Sequence, residues 1–382
     1  MNDLHVCVVH LDHDNPSETF ARAHVERLPC RVSVVHGTAD RPLYLDDQPL
    51  EPGSRAGVVA RLGRRVLLRG LGRDMLAVRF APEYLEALRL SHADVLLAEF
   101  GPVGVQAMDA CHTLGVPLVV HFHGYDVSSR DVLAVFGESY RRLFGEAAAV
   151  VAPSTDLSRR LLELGAPPER LHHSANGVDC ARFTAGDPAS APPTFVAVGR
   201  LVEKKRPDLT ITAFAQMAAG RHGPHLRIVG EGPLRDSCEA LASRLCPGAV
   251  DFLGEQPHDV VARELRGARA FVQHSAVAAN GDVEGMPVAV LEAGASGLAA
   301  VATRHGGIGE VVVDGETGFL VEEHDVDAMA ARMATLADDP VLAGRLGRAA
   351  RSRIETFFSL DASIERLWRI VQAAAHGRRE AR

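Results

Sequence analysis

Short runs of apolar residues recur along the chain, each separated from the next by a segment of mixed polarity. Such runs, without polar alternation, are typical of strands buried on both faces of a parallel sheet. Most of the intervening segments are long enough for a helix, so the rhythm predicts βα units and a doubly wound α/β sheet in each half. The predicted strands are 4–11, 31–36, 94–98, 117–122, 149–152, 194–199, 226–230, 250–254, 270–274, 298–303 and 318–321.

A proline-rich stretch divides this pattern into two parts. Pro188, Pro192 and Pro193 lie among small residues, which is the composition of a linker. With 382 residues, the chain is also too long for a single compact core. We therefore expect an N-terminal domain, a linker, a second domain and a C-terminal helix, over residues 1–180, 181–193, 194–358 and 359–382.

Composition narrows the class of protein. Apolar residues make up 47% of the chain and the mean hydropathy is +0.02, as in globular proteins. No run of 18 apolar residues is present, and the N-terminus lacks a basic segment followed by an apolar one, so we expect a cytoplasmic protein. The six cysteines include no Cys-x-x-Cys pair and are expected to be reduced packing residues. A net charge of −8 argues against nucleic acid as a partner.

The strongest chemical signal comes from two carboxylates, Glu284 and Glu292, which are separated by seven residues. Between them a proline heads an apolar run that ends before a glycine, the usual punctuation of a helix. The unpaired N–H groups and positive dipole end of its first turn suit a phosphate. Glu292 lies about 7.5 Å farther along the helix axis than the proline, so sugar hydroxyls on both sides of a diphosphate would each meet a carboxylate. The residues predicted around the phosphate are Gly285, Met286, Pro287 and Val288.

A second group of candidates follows the first strand of the second half. The only two lysines among 41 basic residues, Lys204 and Lys205, are adjacent in a loop that also contains Arg200. Loops at the carboxyl ends of parallel strands line the ligand crevice of such a sheet, so these cations are predicted to clamp a diphosphate. Gly307 lies in the loop after the fifth strand of the second half, 298–303, and is expected to bring a backbone N–H to the same diphosphate. Asp208 is expected to cap the helix that follows the lysines.

The first half offers a histidine at the carboxyl end of a strand. His123 begins the turn His-Gly-Tyr-Asp, whose glycine allows the backbone to approach a ligand closely and whose last residue is Asp126. In the loop after the first strand, Ser17 can cap the next helix. Asp12-x-Asp14 in that loop has no further ligands at a supporting spacing, so we expect no metal site there.

A basic segment extends from Arg55 to Arg79, with seven arginines against a single acid, Asp74. Apolar residues are interleaved with the arginines, which favours an amphipathic surface. A solvated helix face and a surface that meets anionic lipid both fit this pattern.

Each candidate residue also has a simpler interpretation. Glu292 could be a surface residue of an ordinary helix, but its apolar neighbours leave no polar face, so a carboxylate there is costly unless it is paired or faces a ligand. His123 could be a structural histidine with satisfied hydrogen bonds. The loop with the two lysines could be a solvated charged loop.

Together these residues resemble the motifs of the retaining sugar-nucleotide glycosyltransferases of family 4, the group 1 class with the GT-B architecture. One departure is Arg206, where the family often has glycine. A narrower resemblance, to the branch that builds bacterial exopolysaccharides such as colanic acid and amylovoran, rests on 16–20, 123–126 and 281–285. The matching positions of the second half are Gly199-Arg200 with Lys205, Gly230-Glu231-Gly232-Pro233, Glu284 with Glu292, and Gly306-Gly307 to Gly318-Phe319.

The resemblance implies a fold and a reaction. The fold would be two Rossmann-like domains that face each other across a cleft, with the C-terminal helix packing back toward the N-terminal domain. The reaction would transfer a hexosyl unit with retention from a UDP- or GDP-sugar to a glycan or a polyprenyl-diphosphate-linked acceptor. No cofactor and no metal are implied. Arg55–Arg79 would then be the point of peripheral contact with the inner membrane face.

The resemblance also implies residue roles. Arg200 and Lys205 would bind the donor diphosphate, Glu292 the ribose hydroxyls and Glu284 the hydroxyls of the transferred sugar. His123 would lie at the anomeric centre. On the acceptor side the implied residues are Ser17 and Asp126.

Two other classes of function remain open. A sugar-nucleotide epimerase or hydrolase of the same fold would form product without an acceptor. A non-catalytic sugar-nucleotide binder would be expected to have lost one of the charged positions, and all of them are present.

Overall fold

A computed structural model of the chain describes residues 4–10, 18–37, 43–50 and 81–380. Ser17, Asp12-x-Asp14 and the basic segment Arg55–Arg79 lie outside these ranges. The chain divides into two units, Met1–Ser174 with Ile364–Arg382, and Ala175–Ser363. The segment expected as a linker, 181–193, lies inside the second unit, where the Gly186 N–H donates to the Ser296 carbonyl oxygen.

The first unit contains an eight-stranded sheet in the order β4-β3-β2-β1-β5-β6-β7-β8. It is parallel except where β3 pairs with β2 and with β4. The strands are β1 His5–Val9, β2 Arg31–His36, β3 Tyr44–Leu45, β4 Gln48–Pro49, β5 Val95–Glu99, β6 Leu118–His121, β7 Ala149–Ala152 and β8 Leu171–His173. The helices are α1 Thr19–Arg27, α2 Ala81–Ser91, α3 Gly101–Leu114, α4 Tyr125–Ser128, α5 Arg130–Glu146 and α6 Thr155–Glu163.

The second unit contains a six-stranded, fully parallel sheet in the order β11-β10-β9-β12-β13-β14. Its strands are β9 Thr194–Val198, β10 His225–Val229, β11 Val250–Gly254, β12 Ala270–Gln273, β13 Ala300–Thr303 and β14 Gly318–Val321. Its helices are α7 Pro207–Ala218, α8 Arg235–Leu245, α9 His258–Arg266, α10 Val288–Ala295, α11 Ile308–Val311, α12 Val326–Asp338 and α13 Pro340–Phe357. The last helix, α14 Leu360–Glu380, begins in this unit and enters the first unit at Ile364.

The buried apolar runs explain why both sheets carry helices on both faces. Every residue of β1 and β5 is buried. In β9, Phe195 packs into the core on one face and Val196 into the core on the other. Such strands need cover on both sides, and the helices between them provide it. Among the described helices, none is long and apolar enough to cross a membrane.

All of the predicted strands are present, with ends that differ by at most two residues. The sequence did not predict β3, β4 and β8, which are only two or three residues long and partly exposed. The prediction that Asp208 caps α7 is wrong. The helix begins one residue earlier, at Pro207, and Arg206 occupies the cap position because its left-handed backbone cannot continue the helix.

The strand order places a ligand crevice in each unit. In the first sheet the order reverses beside β1, which lies between β2 and β5; in the second it reverses beside β9, between β10 and β12. Ligands of doubly wound sheets bind outside the carboxyl ends of the strands at such reversals. The loops after β5 and β9 therefore begin at these positions.

Candidate active site

Three loops meet at the carboxyl edge of the second sheet. They follow β9, β12 and β13, which are neighbours in the strand order. The first carries Arg200 and Lys205, the second carries Glu284, and the third carries His305. Because these strands are parallel and adjacent, residues far apart in sequence come together at one place.

The central contact is an ion pair between two of the predicted residues. Lys205 Nζ lies 3.0 Å from a carboxylate oxygen of Glu284, and both side chains are largely buried. Burial opposes ionisation of Glu284, but the charge of Lys205, assisted by Lys204, outweighs it and lowers the pKa of the carboxyl group to about 2. Glu284 is therefore ionised at neutral pH, and it holds the lysine at the edge of the sheet.

The adjacent lysine, Lys204, binds the loop that carries Glu284. Lys204 Nζ lies 3.1 Å from an Asp282 carboxylate oxygen and 3.3 Å from the Val283 carbonyl oxygen. Its own carbonyl oxygen accepts a hydrogen bond from the Ala276 N–H. Each lysine thus binds one carboxylate of this loop. Lys204 binds Asp282 and holds the loop in place, and Lys205 binds Glu284.

Glu292 is buried within α10, with 5% of its surface exposed. Loss of hydration raises the pKa of its carboxyl group to about 7, although Arg182 and Lys205 act in the opposite direction. His258 Nδ1 approaches its carboxylate to 3.7 Å. A half-ionised carboxyl group in this position is suited to hydrogen bonds with the hydroxyl groups of a ligand.

Helix α10 begins at Val288, one residue later than the sequence predicts. Pro287 keeps an extended backbone, with ψ of 117°, and occupies the N-cap without a side-chain hydrogen bond to the helix. The first turn therefore presents its N–H groups without a side-chain cap, as a phosphate site requires.

The third loop supports Glu284 through its backbone. The Glu284 N–H donates to His305 Nε2 at 3.1 Å, and His305 Nδ1 lies 2.6 Å from a Glu323 carboxylate oxygen. Gly306 has φ of 49°, and a Cβ there would lie 2.2 Å from the Glu284 carbonyl oxygen. The Gly307 N–H, expected at a diphosphate, instead donates to the Gly285 carbonyl oxygen at 2.9 Å. This loop therefore shapes the loop that carries Glu284.

Arg200 and Arg206 differ in their surroundings. Arg200 is exposed, and its positive charge acts on Asp282, the partner of Lys204. Arg206 has φ of 37°, a left-handed conformation that favours glycine, and its guanidinium binds Asp208. The conformation explains why glycine is frequent at this position in the family that the sequence resembles.

His123, in the first unit, lies in the loop after β6. Its Nε2 lies 2.8 Å from a carboxylate oxygen of Glu99, the last residue of β5. Phe20 stacks on its ring at 4.1 Å between centroids, and Phe100 meets it edge-on at 4.6 Å. The predicted strand ends at Ala98, one residue short of Glu99, so Glu99 was not among the predicted site residues. A carboxylate directly after an apolar run was the signal that could have found it.

Asp126 is fully buried, and its carboxylate binds backbone N–H groups. Its carboxylate accepts hydrogen bonds from the N–H groups of Gly101, His123 and Gly124. These contacts fix the turn that carries His123. Asp126, predicted on the acceptor side, thus shapes the loop around His123.

One group of described residues has the chemistry of a metal site. His24, Glu99 and His121 are buried and offer ligand atoms within 4.8 Å of one another. However, His24 Nδ1 lies 2.7 Å from Glu99 Oε1, which is a hydrogen-bond distance. Two ligands of a tetrahedral ion with bonds of about 2.0 Å lie about 3.3 Å apart, so the observed spacing fits a hydrogen-bonded cluster better.

Comparison with known proteins covers both units. Residues 184–353 match the family model Glycosyl transferases group 1, and residues 18–182 match Glycosyltransferase Family 4. The putative colanic acid biosynthesis glycosyltransferase WcaL of Escherichia coli is 33% identical over 88% of this chain and 87% of its own length. The amylovoran biosynthesis glycosyltransferase AmsK of Erwinia amylovora is 30% identical over 74% of this chain and 71% of its own length.

Solved structures show the same fold. Sucrose-phosphate synthase from Thermosynechococcus elongatus matches with a TM-score of 0.75 and 18% identity, over 97% of this chain and all of that one. Alr3699/HepE of Anabaena, in complex with UDP and glucose, matches with a TM-score of 0.73 and 17% identity over the same shares. These likenesses, together with the two doubly wound sheets, confirm the GT-B fold class that the sequence predicts.

Proposed function

The chain belongs to the glycosyl transferases group 1 family, and from this premise we propose that it moves a hexosyl unit from a UDP- or GDP-sugar to a glycan or a polyprenyl-diphosphate-linked acceptor, with retention. The relatives named for colanic acid and amylovoran synthesis support a role in bacterial exopolysaccharide synthesis. Other relatives are named as GDP-mannose-dependent mannosyltransferases, and similar structures contain UDP, which supports these two donor classes.

The observation that carries the proposal is the buried pair of Lys205 and Glu284, together with the uncapped start of α10 and with Glu292, on which the charge of Lys205 acts. We assign Lys205 and Arg200 to the donor diphosphate, together with the first turn of α10. Glu284 accepts hydrogen bonds from the transferred sugar, and Glu292 from the ribose. Glu292, the cations with the helix dipole, and Glu284 would thus each serve one part of the donor: the ribose, the diphosphate and the sugar.

In the proposed reaction, the bond between the anomeric carbon and the diphosphate oxygen breaks on the face that the acceptor hydroxyl attacks. The hydroxyl oxygen forms the new glycosidic bond, and its proton passes to the leaving diphosphate. Lys205, Arg200 and the dipole of α10 stabilise the negative charge that builds on this leaving group. From the first unit we assign His123 to the transferred sugar. The chemistry that these residues supply requires no cofactor.

A nucleotide-sugar screen tests the proposal. The correct donor should raise the melting temperature, because a ligand that binds the native state stabilises it by RT ln(1 + [L]/Kd). Product formed from that donor should require an acceptor and retain the donor's anomeric configuration by NMR. A new sugar nucleotide formed without an acceptor would instead indicate an epimerase, and binding without turnover of any acceptor would indicate a non-catalytic binder.

A further inference from the structure

The first unit contains a buried carboxylate to which the proposed reaction assigns no role. Glu99 is fully buried at the end of β5. Among the described residues its ion-pair partners are histidines, with no lysine or arginine. Burial opposes its ionisation, but His24 and His123 outweigh this effect and lower the pKa of the carboxyl group well below its usual range. Three imidazoles thus surround one carboxylate.

Two of these imidazoles donate hydrogen bonds to Glu99. His24 Nδ1 lies 2.7 Å from Oε1, and His123 Nε2 lies 2.8 Å from Oε2. An ionised carboxylate only accepts hydrogen bonds, so both nitrogens carry protons. The third imidazole belongs to His121, which pairs with Glu99 across β5 and β6; its Nδ1 is 3.6 Å from Oε2, beyond hydrogen-bond distance.

The opposite nitrogen of His123 is left for a ligand. Phe20 and Phe100 fix the ring, and the buried Nδ1 has no hydrogen-bond partner among the residues that the structure describes. An unpaired lone pair in this position costs less free energy than an unpaired N–H of a cationic ring. The neutral ring with its proton on Nε2 therefore fits these surroundings best, and a group that meets Nδ1 has to donate a hydrogen bond.

We infer that Glu99 is a positioning residue for His123: its carboxylate holds the imidazole as the neutral Nε2–H tautomer and presents Nδ1 as an acceptor to a sugar hydroxyl. The inference deepens the proposed function, because that function places the transferred sugar at His123. Carboxylates that bind one ring nitrogen of a histidine set its tautomer and orientation in the same way in metal sites and catalytic triads.

Nitrogen-15 NMR of the full-length protein with labelled histidine tests the tautomer directly, with the His123 signals assigned from a His123→Gln variant. We expect a protonated Nε2 and an unprotonated Nδ1 at pH 7.5. A proton on Nδ1, in either the other neutral tautomer or the imidazolium, would overturn the inference. This measurement needs no activity, so it decides on Glu99 even if no donor is turned over and the proposed function fails.

A Glu99→Gln variant tests the effect on turnover. His24 and His123 bind different oxygens of Glu99, and glutamine has an acceptor oxygen at only one of these two positions, so it cannot accept both hydrogen bonds in this geometry. We expect kcat to fall at least about tenfold, with the donor KM within twofold of wild type, and a shift in the His123 tautomer. Glu138→Gln, exposed on α5, loses the same charge and should match wild type.

Two results would overturn the inference. The first is a Glu99→Gln variant with kcat within twofold of wild type in a protein that is otherwise active. The second is one equivalent of Zn²⁺ retained by the wild type and lost by the variant, which would make Glu99 a metal ligand. If the variant does not fold, the tautomer of the wild-type protein decides alone.

Discussion

At the scale of single residues, Lys205 binds Glu284 in the structure and is assigned to the donor diphosphate in the proposed reaction. Lys205→Ala would leave Glu284 buried without its cation and the diphosphate without a clamp. Removing one member of such a desolvated pair costs ~2–5 kcal/mol, so we expect kcat/KM to fall by roughly 30-fold or more. Arg200→Ala should act in the same direction through the diphosphate. Arg244→Ala, on the exposed face of α8, is the control, and transfer within twofold of wild type in both test variants would contradict the assignment.

Glu292 should make the free energy of unfolding depend on pH. Its pKa is raised to about 7 in the folded protein, whereas an unfolded chain ionises near 4.3. Its contribution to stability is therefore complete below about pH 4 and is lost as the pH rises through about 7. Glu292→Gln cannot ionise, so between pH 5 and 8 the variant should gain roughly 2–3 kcal/mol of unfolding free energy relative to wild type. Urea titrations at several pH values measure this, and a constant difference between the two proteins would show that Glu292 is ionised throughout.

The absence of a required metal is a further prediction for the site. Lys205, Arg200 and the dipole of α10 already supply positive charge to the diphosphate in the proposed reaction. Transfer should therefore survive EDTA. Loss of turnover that Mg²⁺ or Mn²⁺ restores would assign a role to a metal, with Asp12-x-Asp14 as the first pair to mutate.

The sequence located some of these residues and missed others for a physical reason. Glu284 and Lys205 lie in predicted loops, and Glu292 is a charged residue within an apolar run, so local pattern alone marks all three. The sequence did not predict the partners of Lys204, Glu99 and His305, because these partners are distant in the chain. Glu99 and His24, for example, are 75 residues apart. Only the pairing of strands brings such partners together, so local spacing does not show which residues will meet.

At the scale of elements, long buried strands are visible in the sequence and short edge strands are not. β3 and β4 have two residues each and an exposed side, so no apolar run marks them. The start of α7 shows a different limit. An aspartate before an apolar run suggested a cap, but the backbone of Arg206 decides where the helix begins.

The turn between β6 and α4 depends on Asp126. Asp126→Asn would place an NH₂ group against backbone N–H groups that now donate to the carboxylate. Leaving these buried groups unsatisfied should cost about 1–3 kcal/mol of unfolding free energy. Chemical denaturation measures the loss, and Asp131→Asn, exposed on the first turn of α5, is the matched control. Equal stability of the two variants would mean that the turn does not rely on the buried carboxylate.

At the scale of the whole molecule, the repeated βα rhythm was enough to predict two doubly wound sheets. The boundary between the two units was harder to predict from composition. The proline-rich segment marked as a linker belongs to the second unit, because Gly186 bonds to Ser296 and Arg269 donates to the Ala191 carbonyl oxygen. The helix α14 belongs to both units, which no local pattern in its sequence indicates.

Arg55–Arg79 has seven arginines against one acid, and we propose that this segment meets anionic lipid, since a polyprenyl-diphosphate-linked acceptor would lie in a membrane. Each basic residue near such a surface contributes ~1 kcal/mol, and salt screens the attraction within a Debye length of about 8–10 Å. Three or four contacts would give weak attachment that salt reverses.

Co-sedimentation with liposomes that contain anionic lipid, at low and high salt, measures this attachment. Wild type should sediment at low salt only, and a variant with Arg61, Arg64, Arg65 and Arg69 replaced by glutamine should stay in solution. Replacing four exposed arginines elsewhere, Arg141, Arg244, Arg345 and Arg348, removes the same charge and should leave sedimentation unchanged if the segment itself is the contact. If wild type stays in solution at low salt, or if both variants behave alike, the arginines form only a charged face. A soluble acceptor would then fit the protein better than a lipid-linked one.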